Sequence, residues 1–172
     1  MNNCGLNGHE QNGGDRCERE QRARGLFLSG YNCAQSLAGA FADELGLDFE
    51  TAVRLASTFG GGIGRLREAC GAVTGMTMVL GMKYGYSVPG DDVIKMQTYA
   101  MVQELAEKFR AENGSLICRE LLGLPEGAGN DPKPEVRTAS YYAKRPCENF
   151  IGSAARILSE YIERRSAGEG DR

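Results

Sequence analysis

Residues 32–46 read NCAQSLAGAFADELG. Leu37, Phe41 and Leu45 recur at the spacing of one face of an α-helix, and Asn32 just ahead of them carries the side chain of a helix N-cap. Gly46 closes the run. The same grammar extends downstream: Asp48 is placed to cap a helix through FETAVRLASTF at 49–59, and GGGIGR at 60–65 then breaks the pattern. A fourth helix is expected over about 66–84. A fifth is expected over about 91–112, opened by Pro89, Asp91 and Asp92 and closed at Asn113-Gly114. Ser115 is placed to cap a short sixth helix, LICRELLG, and Pro146 to begin the last, CENFIGSAARILSEYIERR. Upstream, CEREQRARGLFLSG reads as a first helix from Arg16 that stops near Gly30. No apolar alternation of period two runs over four or more residues, and no repeat is present. The expected fold class is therefore all-α, a single-domain helical bundle of about six to seven helices over 16–166. An Asn/Gly-rich tail at 1–15 and a polar tail at 167–172 flank it. The Pro/Gly-rich stretch 124–136, LPEGAGNDPKPEV, is too long for an ordinary connector and reads as either functional or mobile.

Composition narrows the function classes. The chain has 172 residues, enough for a core that needs no disulfide or metal staple, so a metal would be present for chemistry. With 20 basic against 23 acidic side chains there is no basic stripe to neutralise phosphates or anionic lipids, which argues against nucleic acid and membrane surfaces as partners. The longest uncharged stretch, 69–82, is interrupted by Gly71, Gly75 and Gly81 and suits a buried helix rather than a membrane span. The first twenty residues have neither a basic nor an apolar signal region, so a cytoplasmic location is expected. Six cysteines are too few for a disulfide scaffold, and in a reducing compartment they point to redox or metal chemistry. There is one histidine, His9 in the N-terminal tail, to which no site role falls.

Cys4 lies in that tail and Cys17 at the edge of the first helix, whereas Cys33, Cys70, Cys118 and Cys147 each fall near the start of an expected helix. Helix starts present unpaired N–H groups and the positive dipole end, which favours thiolate. Arg65 and Arg67 before Cys70, Arg119 after Cys118, and Lys144 and Arg145 before Cys147 add positive charge. Their spacings match no CxxC, CxxCH or zinc-finger pattern, so any centre must be assembled by the fold from four helices. The plainer alternative is that these cysteines are small buried hydrophobes.

The strings NCAQS at 32–36, ASTFGGGIGR at 56–65 and CGAVTGMTMVLGMKYG at 70–85, followed by single cysteines at 118 and 147, resemble the C-GCAxxG-C-C family of putative redox-active proteins. The central motif here runs Cys70-Gly71-Ala72-x-x-Gly75. The resemblance implies that Cys33, Cys70, Cys118 and Cys147 carry the activity, as redox thiols or as metal ligands. A related domain in split-Soret cytochromes carries an iron–sulfur centre, so the resemblance brings in an iron–sulfur cluster as a cofactor; without a CxxCH motif it brings in no haem.

Gly60, Gly61, Gly62 and Gly64 are free to adopt positive φ and bring backbone N–H groups to an anion, or else form a helix end followed by a plain turn. On the first reading Gly61, Gly62, Gly64 and Arg65 are the cofactor-binding residues. Gly71, Ala72 and Gly75 share one side of the fourth helix at small-xxx-small spacing, which lets another helix approach closely. Met76, Met78, Met82, Met96 and Met101 read as core filler, and Tyr141-Tyr142 as packing or as a shield for the site. The leading expectation is a redox protein whose four cysteines form one centre, either iron–sulfur ligands or dithiol/disulfide pairs. It would act with a redox partner that no motif specifies, and its exposed helix faces suit a homodimer. The competing expectation is a helical binding module with structural cysteines or a structural zinc site.

Overall fold

The computed structural model describes residues 11–129 and 131–168, with side chains from Arg16 onward. Eight α-helices and no strand occur among them: α1 (Gln11–Leu28), α2 (Cys33–Ala40), α3 (Phe49–Leu55), α4 (Gly71–Tyr84), α5 (Asp92–Asn113), α6 (Cys118–Leu121), α7 (Ala139–Ala143) and α8 (Cys147–Ser166). The fold is all-α and forms one domain; the short α7 is the helix beyond those expected. No helix among the described residues is long and apolar enough to cross a membrane.

Helix α2 sits at the centre, against α1, α3, α4 and α8. It is built almost entirely of small residues, and Ala34, Ser36, Leu37, Ala38, Gly39 and Ala40 are all buried, as a helix enclosed on every side requires. Around it, α8 packs along α1, and α5 lies across α4 and α8. Phe27, Leu37, Phe41, Met76, Leu105, Phe109, Ile151 and Leu158 form the core where these faces meet. Met76 and Met101 belong to that core, whereas Met82 and Met96 project to solvent.

The caps at Asn32 and Asp48 are formed as the sequence predicts, and of the residues expected to open the fifth helix Asp91 is the one that caps it. Asn32 closes a full capping box, its side chain accepting from the Gln35 N–H at 3.0 Å while the Gln35 side chain accepts from the Asn32 N–H at 3.1 Å. Gly114 ends α5 in the left-handed conformation, φ 94°. Five boundaries differ from expectation: α1 begins at Gln11, inside the stretch read as a tail, α3 ends at Leu55 and is followed by a 3-10 turn over Ser57–Phe59, and three more shift at α2, α4 and α6. α2 ends at Ala40, with Phe41 as its C-cap, and residues 41–46 continue as tight turns; because Phe41, Ala42 and Leu45 stay buried there, the apolar spacing outlives the helix. α4 starts at Gly71 rather than near 66, since residues 67–70 pair with 116–119 instead. Ser115 does not cap α6; its hydroxyl accepts from the Ile117 N–H at 3.0 Å in the turn before it. α7, which no periodicity announces, is held by Thr138, whose hydroxyl accepts from the Tyr141 N–H at 3.2 Å.

Candidate functional site

Each of the four cysteines stands at a helix start. Cys33 is the first residue of α2, behind the Asn32 capping box. Cys147 is the first of α8, behind Pro146. Cys70 occupies the N-cap of α4 and Cys118 opens α6. The last two are held side by side by a short antiparallel pairing, with an isolated bridge between Ala69 and Ile117. In it the Cys70 N–H donates to Leu116 O at 2.8 Å, the Cys118 N–H to Glu68 O at 2.7 Å and the Arg119 N–H to Arg67 O at 3.0 Å.

Two glycines admit the sulfurs. A Cβ on Gly71 would lie 2.9 Å from Cys33 Cβ and 3.1 Å from Ala34 N, so only glycine lets the starts of α2 and α4 meet. Gly75, one turn on, faces Leu37 Cβ at 2.7 Å in the same way, as the small-residue spacing predicts. A Cβ on Gly62 would lie 2.7 Å from Cys118 Cβ.

Gly62 belongs to an unusual segment. Gly61, Gly62, Ile63, Gly64 and Arg65 have consecutive φ values of 65°, 74°, 60°, 54° and 68°, and Arg67 follows at 62°. For Ile63, Arg65 and Arg67 the left-handed region costs roughly 1–2 kcal/mol each, and such strain persists where the surroundings over-determine it. Here the Arg67 and Glu68 N–H groups donate to Gly61 and Gly62 carbonyls, each at 3.2 Å. The segment is thus no plain turn. It folds back on itself and delivers the Arg65 and Arg67 side chains to the cavity that the cysteines line.

That cavity, about 440 Å³, is lined by all four cysteines, by Gly61, Gly62, Gly64 and Arg65, and by Arg67, Glu135, Arg145, Phe27, Tyr141 and Phe150. The fold therefore gathers in one pocket every residue that the sequence offered as a thiol or cofactor contact. Tyr141 lines the pocket, while Tyr142 packs edge-on against Phe27 and donates to Leu28 O at 3.2 Å. Cys4 and His9 lie outside the described residues, and Cys17, on α1, is not among the lining residues.

Burial and charge divide the thiols. Cys33 and Cys147 share a hydrogen bond that raises the Cys33 pKa well above its ordinary value and lowers that of Cys147; Arg145 and Arg67 pull Cys147 down further. Burial pushes Cys70 up to about 12. Burial also raises Cys118, against the pull of the Arg67 guanidinium beside it. The expectation that every helix start favours thiolate thus holds for Cys147 alone: the interaction with Cys147, followed by burial, raises Cys33, and desolvation outweighs the helix terminus at Cys70 and Cys118. Arg119 takes no part, pairing instead with Glu68 at 3.0 Å.

The sequence reading passes over Glu135 and Arg137. Glu135 sits within reach of Arg65, Arg67 and Arg145. Arg137 donates to Phe27 O and Tyr31 O, both at 2.9 Å, and ties the end of the 124–136 stretch to the end of α1. A lone acidic residue just after Pro134, with an arginine two positions on, is the signal that could have marked this pair.

The model of the family described as "Putative redox-active protein (C_GCAxxG_C_C)" matches residues 31–161. The chain belongs to this family. The match opens just before the Asn32 cap and ends near the close of α8, so it takes in all four pocket cysteines of this C_GCAxxG_C_C protein. No curated protein and no solved structure matches the chain.

Proposed function

We infer that this chain is a thiol redox protein in which Cys33 and Cys147 form the reacting pair and Cys70 and Cys118 complete the same centre. The observation that carries this reading is that Cys33 and Cys147, the first residues of α2 and α8, line one pocket, where their mutual interaction drives their pKa values in opposite directions. One thiol is prepared as nucleophile and the other keeps its proton. The Cys147 thiolate attacks a disulfide substrate, forming a mixed disulfide and expelling one thiolate. Cys33 then attacks the Cys147 sulfur, its proton passes to the departing sulfur, and the Cys33–Cys147 disulfide remains. The substrate gains two electrons, and an external dithiol returns two to the protein.

An iron–sulfur cluster is the second reading, and the donor set fits it. Four cysteines line one pocket, with glycines opposite Cys33 and Cys118 where a Cβ would clash. Cys33, Cys70, Cys118 and Cys147 would hold the cluster, which would supply one-electron transfer. A single zinc ion is less well served, since it needs its ligands gathered directly around one point. Among the described residues no three His, Cys, Asp or Glu are so arranged.

The deciding experiment is anaerobic purification, an absorption spectrum with iron, sulfide and zinc quantification, and then oxidation by a small disulfide with peptide mapping. The expected result is a Cys33–Cys147 linkage that forms reversibly. Stoichiometric iron and sulfide with visible charge-transfer bands, lost in Cys70→Ser, would move the conclusion to the cluster. Neither a linkage nor a cluster would overturn both readings.

A further inference from the structure

Three guanidinium groups converge on one carboxylate oxygen beside the thiols. Glu135 Oε1 lies 2.5 Å from Arg145 Nη2, 3.6 Å from Arg65 Nη2 and 3.7 Å from Arg67 Nη2. Three positive charges face one negative charge, so the cluster is under-neutralised. Arg67 is 3% exposed, and its buried Nη2 makes no hydrogen bond. A buried charged donor without an acceptor is costly. Its guanidinium is nevertheless held in place, since Nε donates to Gly129 O at 3.1 Å, as the Arg65 Nε donates to Asp131 O at 2.6 Å. Both arginines are thus oriented by one nitrogen and present others to the cavity. Glu135 is the most accessible member, its side chain 46% exposed against 4%, 14% and 20% for Arg67, Arg145 and Arg65. It can leave without disturbing the buried groups.

We propose that the pocket binds a small organic phosphate monoester, whose dianionic phosphate takes the place of the Glu135 carboxylate among Arg65, Arg67 and Arg145. A tetrahedral dianion offers several acceptor oxygens to forked donors where one carboxylate oxygen now serves all three. Replacing one negative charge by two also lowers the excess positive charge of the cluster from two to one. The cavity, at about 440 Å³, lies in the range of small-molecule sites and is far larger than phosphate alone. Phe27, Tyr141 and Phe150 line the rest of it and receive an apolar body. Bound in this way, the organic portion of the ligand is adjacent to the cysteines that line the same cavity. The inference deepens the thiol reading by naming the group by which its disulfide substrate is recognised, a phosphate monoester carried on the same molecule, and rests on that reading for any chemistry after binding. Binding itself needs no redox step.

The test is calorimetric titration of the full, reduced chain with phenyl phosphate, inorganic phosphate and benzoate, on wild type, Glu135→Gln and Arg145→Gln, each checked for folding by far-UV dichroism. Phenyl phosphate is expected to bind more tightly than either inorganic phosphate or benzoate. Removing the competing carboxylate in Glu135→Gln should tighten phenyl phosphate about 10- to 100-fold, the worth of a charged hydrogen bond, and Arg145→Gln should weaken it by at least about tenfold. No binding to wild type or to Glu135→Gln, or no tightening in Glu135→Gln, overturns the proposal. Benzoate binding as tightly as phenyl phosphate overturns the dianion; inorganic phosphate binding as tightly overturns the organic body. Binding that obeys the expected order while no Cys33–Cys147 linkage ever forms would sink the thiol reading and leave this one standing.

Discussion

Cys147 and Cys70 show how environment separates chemically identical side chains. Both stand at the start of a long helix, yet the hydrogen bond from Cys33 and the charges of Arg145 and Arg67 lower the Cys147 pKa, while burial pushes Cys70 to about 12. A lowered thiol pKa places the thiolate, the reactive form, at lower pH. Iodoacetamide labelling of the reduced protein near neutral pH, read by peptide mass spectrometry, should therefore modify Cys147 before Cys33, Cys70 and Cys118. The Cys147 rate should begin to rise below the ordinary thiol range as pH increases, and Arg145→Gln should shift that rise upward. Equal labelling of the four, or Cys70 leading, would contradict the assignment. The sequence showed the helix starts and the neighbouring arginines at these cysteines. It could not show desolvation, which depends on what the rest of the chain lays over the sulfur.

At the scale of an element, α2 depends on its cap more than an average helix does. Asn32 closes the capping box and its Nδ2 also donates to Ser57 O at 2.9 Å, joining the start of α2 to the chain that enters the glycine segment. Asn32→Ala should cost about 0.5–2 kcal/mol, seen as a lower urea midpoint at unchanged m-value. It should also slow Cys33–Cys147 disulfide formation, because Cys33 is the next residue. Asn32→Ser should recover part of the stability, as Ser caps while lacking the amide donor to Ser57. A variant of wild-type stability would show that packing alone holds α2. This cap was legible from residues 32–35, since a capping box is closed within four neighbours. The start of α4 was not: residues 67–70 take their hydrogen bonds from 116–119, partners that no local pattern names.

The whole molecule is held by the α1–α8 pair around α2. Leu158 on α8 is fully buried in the shared core, and Leu158→Ala should destabilise the domain by about 2–5 kcal/mol in urea unfolding, through lost contacts and a residual cavity. A cost below about 1 kcal/mol would mean that the core closes over the gap. The all-α class, the caps at Asn32 and Asp48, and a cysteine at each of four helix starts could be read from the amino-acid order. Helical periodicity and capping are interactions between residues a few positions apart. The meeting of the four cysteines, the left-handed segment that carries Arg65 and Arg67, and the placing of Glu135 among three arginines could not be read in this way. They rest on close approach between distant segments, such as Gly71 against Cys33 and Gly62 against Cys118. Desolvation and Coulomb energies depend on distance in space, which the folded chain alone sets.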